Sequence, residues 1–234
     1  MTFLTMINEA QGVLSTPRSN VIISSTDLNV RLINALADQE GRELARRHSW
    51  EALCKEKTFT STAAAIQSGA VPSDFDRIKN HTMFNRTQSR RVTGPLSPQE
   101  WQAQQALSAS LLTDAFRIRG GDILITPTPP ATYTYAYEYM SQNWCQSASG
   151  TAQSAWAADN DTGILDETLM VLGLVWRFRK ARGFDYAEEF NTFEKEVEQA
   201  IMRDGGRRDL NYSVDDTLLD HTQPPLVIEG SWNL

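Results

Sequence analysis

Residues 164–202 constrain this chain more than any other stretch, because they read as two helices joined at Gly183. The first helix opens with Asp166 and Glu167 and closes with Arg177, Arg179, Lys180 and Arg182. Acid at the start and base at the end complement the helix macrodipole, and a glycine just past the last turn supplies the left-handed residue of a helix stop. Asp185-Tyr-Ala-Glu188 then has the form of a capping box, with Asp185 at the N-cap and Glu188 at the third helical position. Tyr186, Phe190, Phe193, Val197 and Ile201 recur at spacings of three and four, which predicts one apolar stripe ending before Asp204-Gly-Gly206. The stretch predicts an αα-hairpin.

Two further helices precede it. Phe3, Leu4, Ile7, Ala10 and Leu14 predict a short amphipathic helix that stops before Pro17. Ser24-Ser-Thr-Asp27 offers caps for a longer one over residues 28–48, with Leu28, Leu32, Leu36 and Leu44 as the expected buried face and Gly41 a mild break in it. Trp50 and Leu53 are expected to close this section against the hairpin.

The middle of the chain reads as β-rich. Residues 58–62 are strand-like, residues 63–70 carry little information, and residues 71–78 suggest a one-turn element, with Pro72 barring a strand interior and Ser73 as a cap. Residues 82–85 and 90–93 are short strand candidates. Leu96-Ser-Pro-Gln-Glu-Trp101 starts a helix to about Leu107: Ser97 and Glu100 form a capping box, Pro98 sits where its missing N–H costs nothing, and Leu96 and Trp101 form a staple. Residues 116–119 and 123–126 alternate around Gly120-Gly-Asp122, which predicts a hairpin. Tyr133, Tyr135, Tyr137 and Tyr139 line one face of a third strand. Residues 147–162 are rich in Ala, Ser, Gly and Asp and read as an exposed loop.

The predicted fold class is α+β: a helical bundle (1–54 and 163–206) closed by the hairpin, an inserted β-rich subdomain (55–162), and an extended C-terminal arm (207–234). After Gly206 periodicity fades and acidic residues outnumber basic ones. The arm's apolar islands are Leu218-Leu219 and Leu226-Val-Ile228, with Trp232 near the end. Pro224-Pro225 keep the approach extended, so Leu226, Val227 and Ile228 suit a short strand that docks on a partner, with Trp232 as an anchor.

Composition excludes several classes. With 22 basic and 29 acidic residues the chain carries −7, which does not suit a nucleic-acid clamp. Cys54 and Cys145 are the only cysteines, too few for a disulfide framework, and fit a reducing compartment. The start lacks the basic region of a signal peptide, and the longest apolar run, residues 169–176, is far short of a membrane span. No metal or cofactor motif is present: His48, His81 and His221 are widely separated, and no nucleophile elbow or phosphate-binding loop appears. The pairs Asp166/Glu167 and Glu188/Glu189 sit at helix N-termini, where dipole compensation accounts for them; a helix N-terminus favours the ionised carboxylate, the wrong state for a general acid. The tyrosine face leaves two readings open, a stacking platform for sugars or bases and the inner face of a sheet. The basic cluster at 177–182 suits a helix C-terminus or salt bridges between subunits.

Several of these motifs also resemble the head-to-tail adaptor (connector) proteins of tailed bacteriophages. The resemblance is carried by Pro72-Ser-Asp-Phe-Asp-Arg77, Asn85-Arg-Thr87, Gly94-Pro-Leu-Ser-Pro-Gln-Glu-Trp101, residues 116–130, Tyr137-Glu-Tyr-Met-Ser-Gln-Asn-Trp144 and Val175-Trp-Arg-Phe-Arg-Lys-Ala-Arg-Gly-Phe-Asp-Tyr-Ala-Glu-Glu-Phe190. It is specific over residues 70–190, weaker over the first 60, and absent after Gly206. It implies a non-enzymatic virion protein at the head–tail junction. Such a subunit forms a homo-oligomeric ring, commonly a dodecamer, docks on the portal protein, meets a tail or nozzle protein, and lets genomic DNA pass without specific binding. The competing expectations are a tail-associated peptidoglycan hydrolase using an Asp/Glu pair in the β-rich part, and a carbohydrate-binding module using the tyrosine face.

Overall fold

The structure is a computed structural model that describes residues 1–106 and 114–205. Among them the fold is mixed α/β, with five α-helices and antiparallel sheets. The arm of 207–234 lies outside the described residues, and with it Leu226, Val227, Ile228 and Trp232; so does the helix end expected at Leu107.

Local chemistry sets the helix ends. α1 (Phe3–Val13) is capped by the Thr2 hydroxyl, and α2 (Leu28–Arg47) by the Asp27 carboxylate, which accepts the Asn29 N–H at 2.7 Å. A 3-10 turn (Glu51–Leu53) leads into β1 (Cys54–Thr60), followed by β2 (Ile66–Gln67), β3 (Phe75–Ile78), β4 (Phe84–Asn85) and β5 (Arg90–Arg91). α3 (Pro98–Ala106) starts at the expected box: the Ser97 N–H donates to Glu100 at 2.7 Å and the Glu100 N–H to the Ser97 hydroxyl at 3.3 Å. β6 (Ala115–Arg119) and β7 (Asp122–Thr126) form the expected hairpin, with Gly120 and Gly121 at φ 64° and 85°, as a two-residue type I′ turn requires. After β8 (Thr134–Ser141), β9 (Cys145–Gln146), β10 (Ala152–Gln153) and β11 (Thr162–Gly163) come α4 (Glu167–Arg182) and α5 (Ala187–Arg203). Between them Gly183 is left-handed (φ 75°). The Phe184 N–H reaches the Arg179 carbonyl at 3.0 Å and the Gly183 N–H the Lys180 carbonyl at 3.1 Å, the paired bonds of a Schellman stop.

β8 is the spine of the main sheet. β1 pairs along one side of it, from Cys54 opposite Met140 to Thr60 opposite Thr134, while β3 and β4 share its other side in succession and β5 lies beyond β4. Smaller sheets have the orders β2-β7-β6 and β10-β9-β11. Buried side chains form two clusters. One gathers α1, α2, α4 and α5 with Trp50, Leu53, Met140, Trp144, Cys145, Trp156 and Leu165; the other lies between the sheets and holds Met83, Phe116, Ile123, Ile125, Tyr135, Tyr137 and Tyr139. α4 sits among α1, α2 and α5 and buries residues all round its circumference.

Five expectations need correction. The buried stripe of α2 is Val30, Ile33, Ala37, Glu40, Gly41 and Leu44, whereas Leu28 is 78% exposed and Leu32 and Leu36 are half-buried. A period of 3.6 fits either stripe; the one chosen brings Gly41 against the Trp144 ring and Glu40 against α4. Residues 71–78 are a turn and a strand: the Phe75 N–H reaches the Pro72 carbonyl at 3.2 Å, and β3 then pairs with β8, so Pro72 lies ahead of the strand and does not interrupt it. Residues 63–70 contain β2. Residues 147–162 are an exposed loop only in part: 148–151 and 154–155 are exposed, but β10 pairs with β9, Trp156 is buried and stacks on Phe3 at 4.5 Å, and Asp161 is 1% exposed. Finally, Asp185 accepts only the Ala187 N–H, at 3.2 Å, and α5 begins after Tyr186.

Candidate functional site

Of the two carboxylate pairs at helix starts, Asp166, Glu167 and Glu189 are engaged. Asp166 accepts the Thr168 N–H at 2.8 Å and Glu167 pairs with the Met1 amino group. Glu189 pairs with Arg179 at 2.7 Å. The Ser97 N–H holds the Glu100 carboxyl below its ordinary range, which favours the ionised form rather than an acid ready to donate.

The tyrosine face resolves to the inner face of the sheet. Tyr135, Tyr137 and Tyr139 are buried, and their hydroxyls donate to Asp114 at 2.8 Å, the Ala70 carbonyl at 2.8 Å and Asp74 at 3.0 Å. Burial and the neighbouring Asp74 push the Tyr139 hydroxyl up to about 12. Tyr133, half-buried, accepts from Gln88 at 3.0 Å. None of the three buried rings is free to stack on a sugar or a base.

Two carboxylates that the sequence did not single out organise this region. Asp74 accepts from Lys55 at 2.8 Å, Ser141 at 2.8 Å and Tyr139 at 3.0 Å. Burial works to raise its pKa, but these hydrogen bonds, Lys55 first, outweigh it and hold the carboxyl below the usual aspartate range. Asp114 accepts from Tyr135 and from Asn85 at 3.1 Å, and Asn85 is itself 1% exposed. Both networks stitch the β3 or β4 side of the sheet to β8. In the 147–162 segment, Asp159 accepts the N–H groups of Ile22 (3.1 Å) and Ile23 (2.9 Å), and Asp161 those of Ala157 (2.7 Å) and Ala158 (2.8 Å).

The helices carry the one buried ion pair of the described residues. Arg177, predicted as a helix-end cation, instead points inward from α4: its Nε bonds Glu40 of α2, and its second nitrogen reaches Glu43 at 2.6 Å. Glu40 is 2% exposed and occupies the space that a side chain at position 173 would need; a Cβ on Gly173 would stand 2.2 Å from its carboxyl carbon. Burial pushes the Glu40 carboxyl up, and the guanidinium beside it opposes that. The guanidinium also lies 4.5 Å over the Trp176 ring. A cleft of about 400 Å³ opens here between α2, α4 and α5, lined by Glu43, Arg47, Trp176 and Phe190 among others. A guanidinium locked between two carboxylates neither donates nor accepts a proton near neutral pH, so the arrangement suits a structural clamp.

The histidines stay apart: His48 lies 3.3 Å from Asp204, His81 borders a groove on the outer face of the sheet, and His221 is outside the described residues. No group of three or more His, Cys, Asp or Glu side chains is placed to hold a metal ion among the described residues, and no helix of these is long and apolar enough to cross a membrane. The partner-binding residues expected from sequence, Leu226, Val227, Ile228 and Trp232, fall outside the described residues. No protein-family model and no curated protein matches the chain.

Proposed function

We propose that this chain is a structural virion protein, a head-to-tail adaptor that docks on the portal as a ring and extends the DNA channel toward the tail. The finer architecture belongs to the same reading: a helical bundle closed by the α4–α5 hairpin, an inserted β-rich subdomain, and an arm that carries Leu226, Val227, Ile228 and Trp232 to the portal or to an adjacent subunit. The supporting observation is the role played by the residues of the family-like motifs. Asp74 of Pro72-Ser-Asp-Phe-Asp-Arg77 gathers Lys55, Tyr139 and Ser141; Asn85 of Asn85-Arg-Thr87 bonds Asp114; and Ser97 and Glu100 cap α3. Motif residues with structural duties fit a scaffold subunit, which has no reaction to catalyse. An acidic subunit also suits a channel through which DNA must slide, because each neutralised phosphate would add affinity.

The test is negative-stain microscopy of the purified chain with and without portal protein. The expected result is a ring of density added to one end of the portal particle. Portal particles unchanged at saturating chain, together with reproducible peptidoglycan cleavage on a zymogram, would overturn the reading in favour of a hydrolase.

A further inference from the structure

Two left-handed backbones, a like-charge pair and an exposed aromatic ring meet in one groove on the outer face of the main sheet. Glu56 and Glu138 stand directly opposite each other on β1 and β8, a placement in which like charges repel. Phe84 of β4, opposite Ala136, keeps 36% of its surface exposed. His81 and Ser89 have positive φ, 66° and 51°, a region that glycine enters freely and other residues enter at a cost. All five residues line a single groove of about 660 Å³, a size within the range of small-ligand sites. Departures from local rules that gather around one hollow are the mark of a functional site.

The walls are held in advance. The Thr82 hydroxyl donates to the Lys79 carbonyl at 2.6 Å and accepts the Glu138 N–H at 3.1 Å, which fixes the turn carrying His81 against β8. The Asn85 side chain accepts the Gln88 N–H at 3.1 Å and the Thr87 hydroxyl the Thr134 N–H at 2.9 Å, which fix the turn carrying Ser89. Arg86 pairs with Glu56, and Lys79, held by Glu51 at 2.6 Å, lies 3.8 Å from Glu138. The His81 imidazole and the Ser89 hydroxyl are exposed and have no hydrogen-bond partner among the described residues.

These groups select the ligand class. Carboxylates and cations alternate around the groove, which leaves no single-sign field to hold a phosphate or an ammonium group. A hydroxyl group donates and accepts at once, so it can use both members of a carboxylate–cation pair. A sugar ring carries hydroxyls around its edge and an apolar C–H face that packs on an aromatic ring. We infer that this groove binds a neutral saccharide, with the sugar's apolar face on Phe84 and its hydroxyls shared among Glu56, Arg86, Glu138 and His81. The site lies on the face of β8 opposite the buried tyrosine rings, and the inference does not rest on the adaptor reading.

NMR titration of the full chain with neutral tetrasaccharides of glucose, galactose, mannose and N-acetylglucosamine tests it, with an oligolysine peptide and a short oligonucleotide as charged comparators. At least one saccharide is expected to shift the amide resonances of 81–86 and 136–138 with a Kd of about 1 mM or tighter, and Phe84→Ala to weaken that binding at least ~10-fold. His81→Gly separates binding from structure: glycine relieves the left-handed backbone, so stability to urea should hold or rise while affinity falls. Three results would each overturn the inference: no saccharide moving these resonances at about 10 mM, affinity unchanged in both variants, or groove resonances moved more by a charged comparator than by any saccharide, which would assign the groove to a charged partner.

Discussion

Replacing Gly41 by alanine is expected to destabilise the protein, although alanine is the better helix former. In a helix interior glycine is disfavoured by about 1 kcal/mol relative to alanine, so propensity alone predicts a gain. The packing points the other way. A Cβ at position 41 would stand 2.4, 2.4 and 2.5 Å from three carbons of the Trp144 ring. Carbon atoms in good contact sit about 3.5–4.0 Å apart, so the overlap is on the order of 1 Å against three atoms at once. Trp144 is fully buried and meets Trp156 edge-on at 5.1 Å, which leaves its rigid indole no room to step aside. Overpacking a filled core costs about 1–3 kcal/mol and occasionally more, and three simultaneous overlaps place this case at the upper end. The net loss is therefore about 2 kcal/mol, a fall in Tm of roughly 4–8 °C for a chain of this size. Urea and thermal denaturation would measure it, with Gly12→Ala in α1 as the control. Nothing lies within 4 Å of that Cβ, so the propensity gain stands there unopposed. Trp144→Phe in the Gly41→Ala background should cost less than the two single changes together, because the smaller ring relieves the overlap. A Gly41→Ala protein as stable as wild type would refute the reasoning.

The buried ion pair gives a second expectation. Arg177→Met leaves the Glu40 carboxylate enclosed without its partner and should cost about 3–5 kcal/mol in urea melts, whereas Glu40→Met with Arg177→Met should recover most of that loss; equal loss in the single and double variants would mean that packing, not charge, decides. Asp74 gives a pH signature. Its folded-state pKa is depressed, so its contribution is present above the unfolded value of about 3.9 and is lost as pH falls through the folded one. The stability gap between wild type and Asp74→Asn should therefore be widest near neutral pH and close below about pH 4; a gap constant from pH 7 to pH 2, read by chemical denaturation, would sink this account.

What the sequence made legible was local, and what it hid was long-range. The Ser97/Glu100 box, the Gly183 stop, the Gly120-Gly121 turn and the Phe193 and Val197 stripe each depend on residues within one turn of each other, so spacing alone exposes them. The stripe of α2 depends on partners far along the chain, Trp144 and Arg177, and three of the four expected leucines, Leu28, Leu32 and Leu36, pointed to the wrong side. Glu40 at an apolar-stripe position and Arg177 inside an apolar run were a signal in hindsight, since a charge in each stripe suggests a pair. Residues 147–162 misled because small polar composition is also what a segment looks like when its aspartates turn inward to bond main-chain N–H groups. The lone Trp156 within it was the clue. Of the candidate site, the tyrosine alternation was legible as a strand but not which way it faced, and that was settled by the hydroxyl partners Asp114, Ala70 and Asp74.

The same strand contributes to both buried clusters. β8 turns Tyr135, Tyr137 and Tyr139 into the sheet cluster, while Met140 on its opposite side and Trp144 just beyond its end enter the helical cluster. From there the chain passes through β9 to Trp156 and back to α4, so the connection between the two clusters is itself core. A hinge needs a stretch with little buried apolar surface, and residues 134–145, where the chain crosses from one cluster to the other, offer none of useful length. Force applied to the sheet is thus passed to α4 through buried tryptophans rather than through a linker. For a subunit that transmits load between two partners, which is the duty the adaptor reading assigns, rigidity at this seam matters more than any reactive group. Four aspartates hold that seam: Asp159 and Asp161 on its helical side, Asp74 and Asp114 on its sheet side.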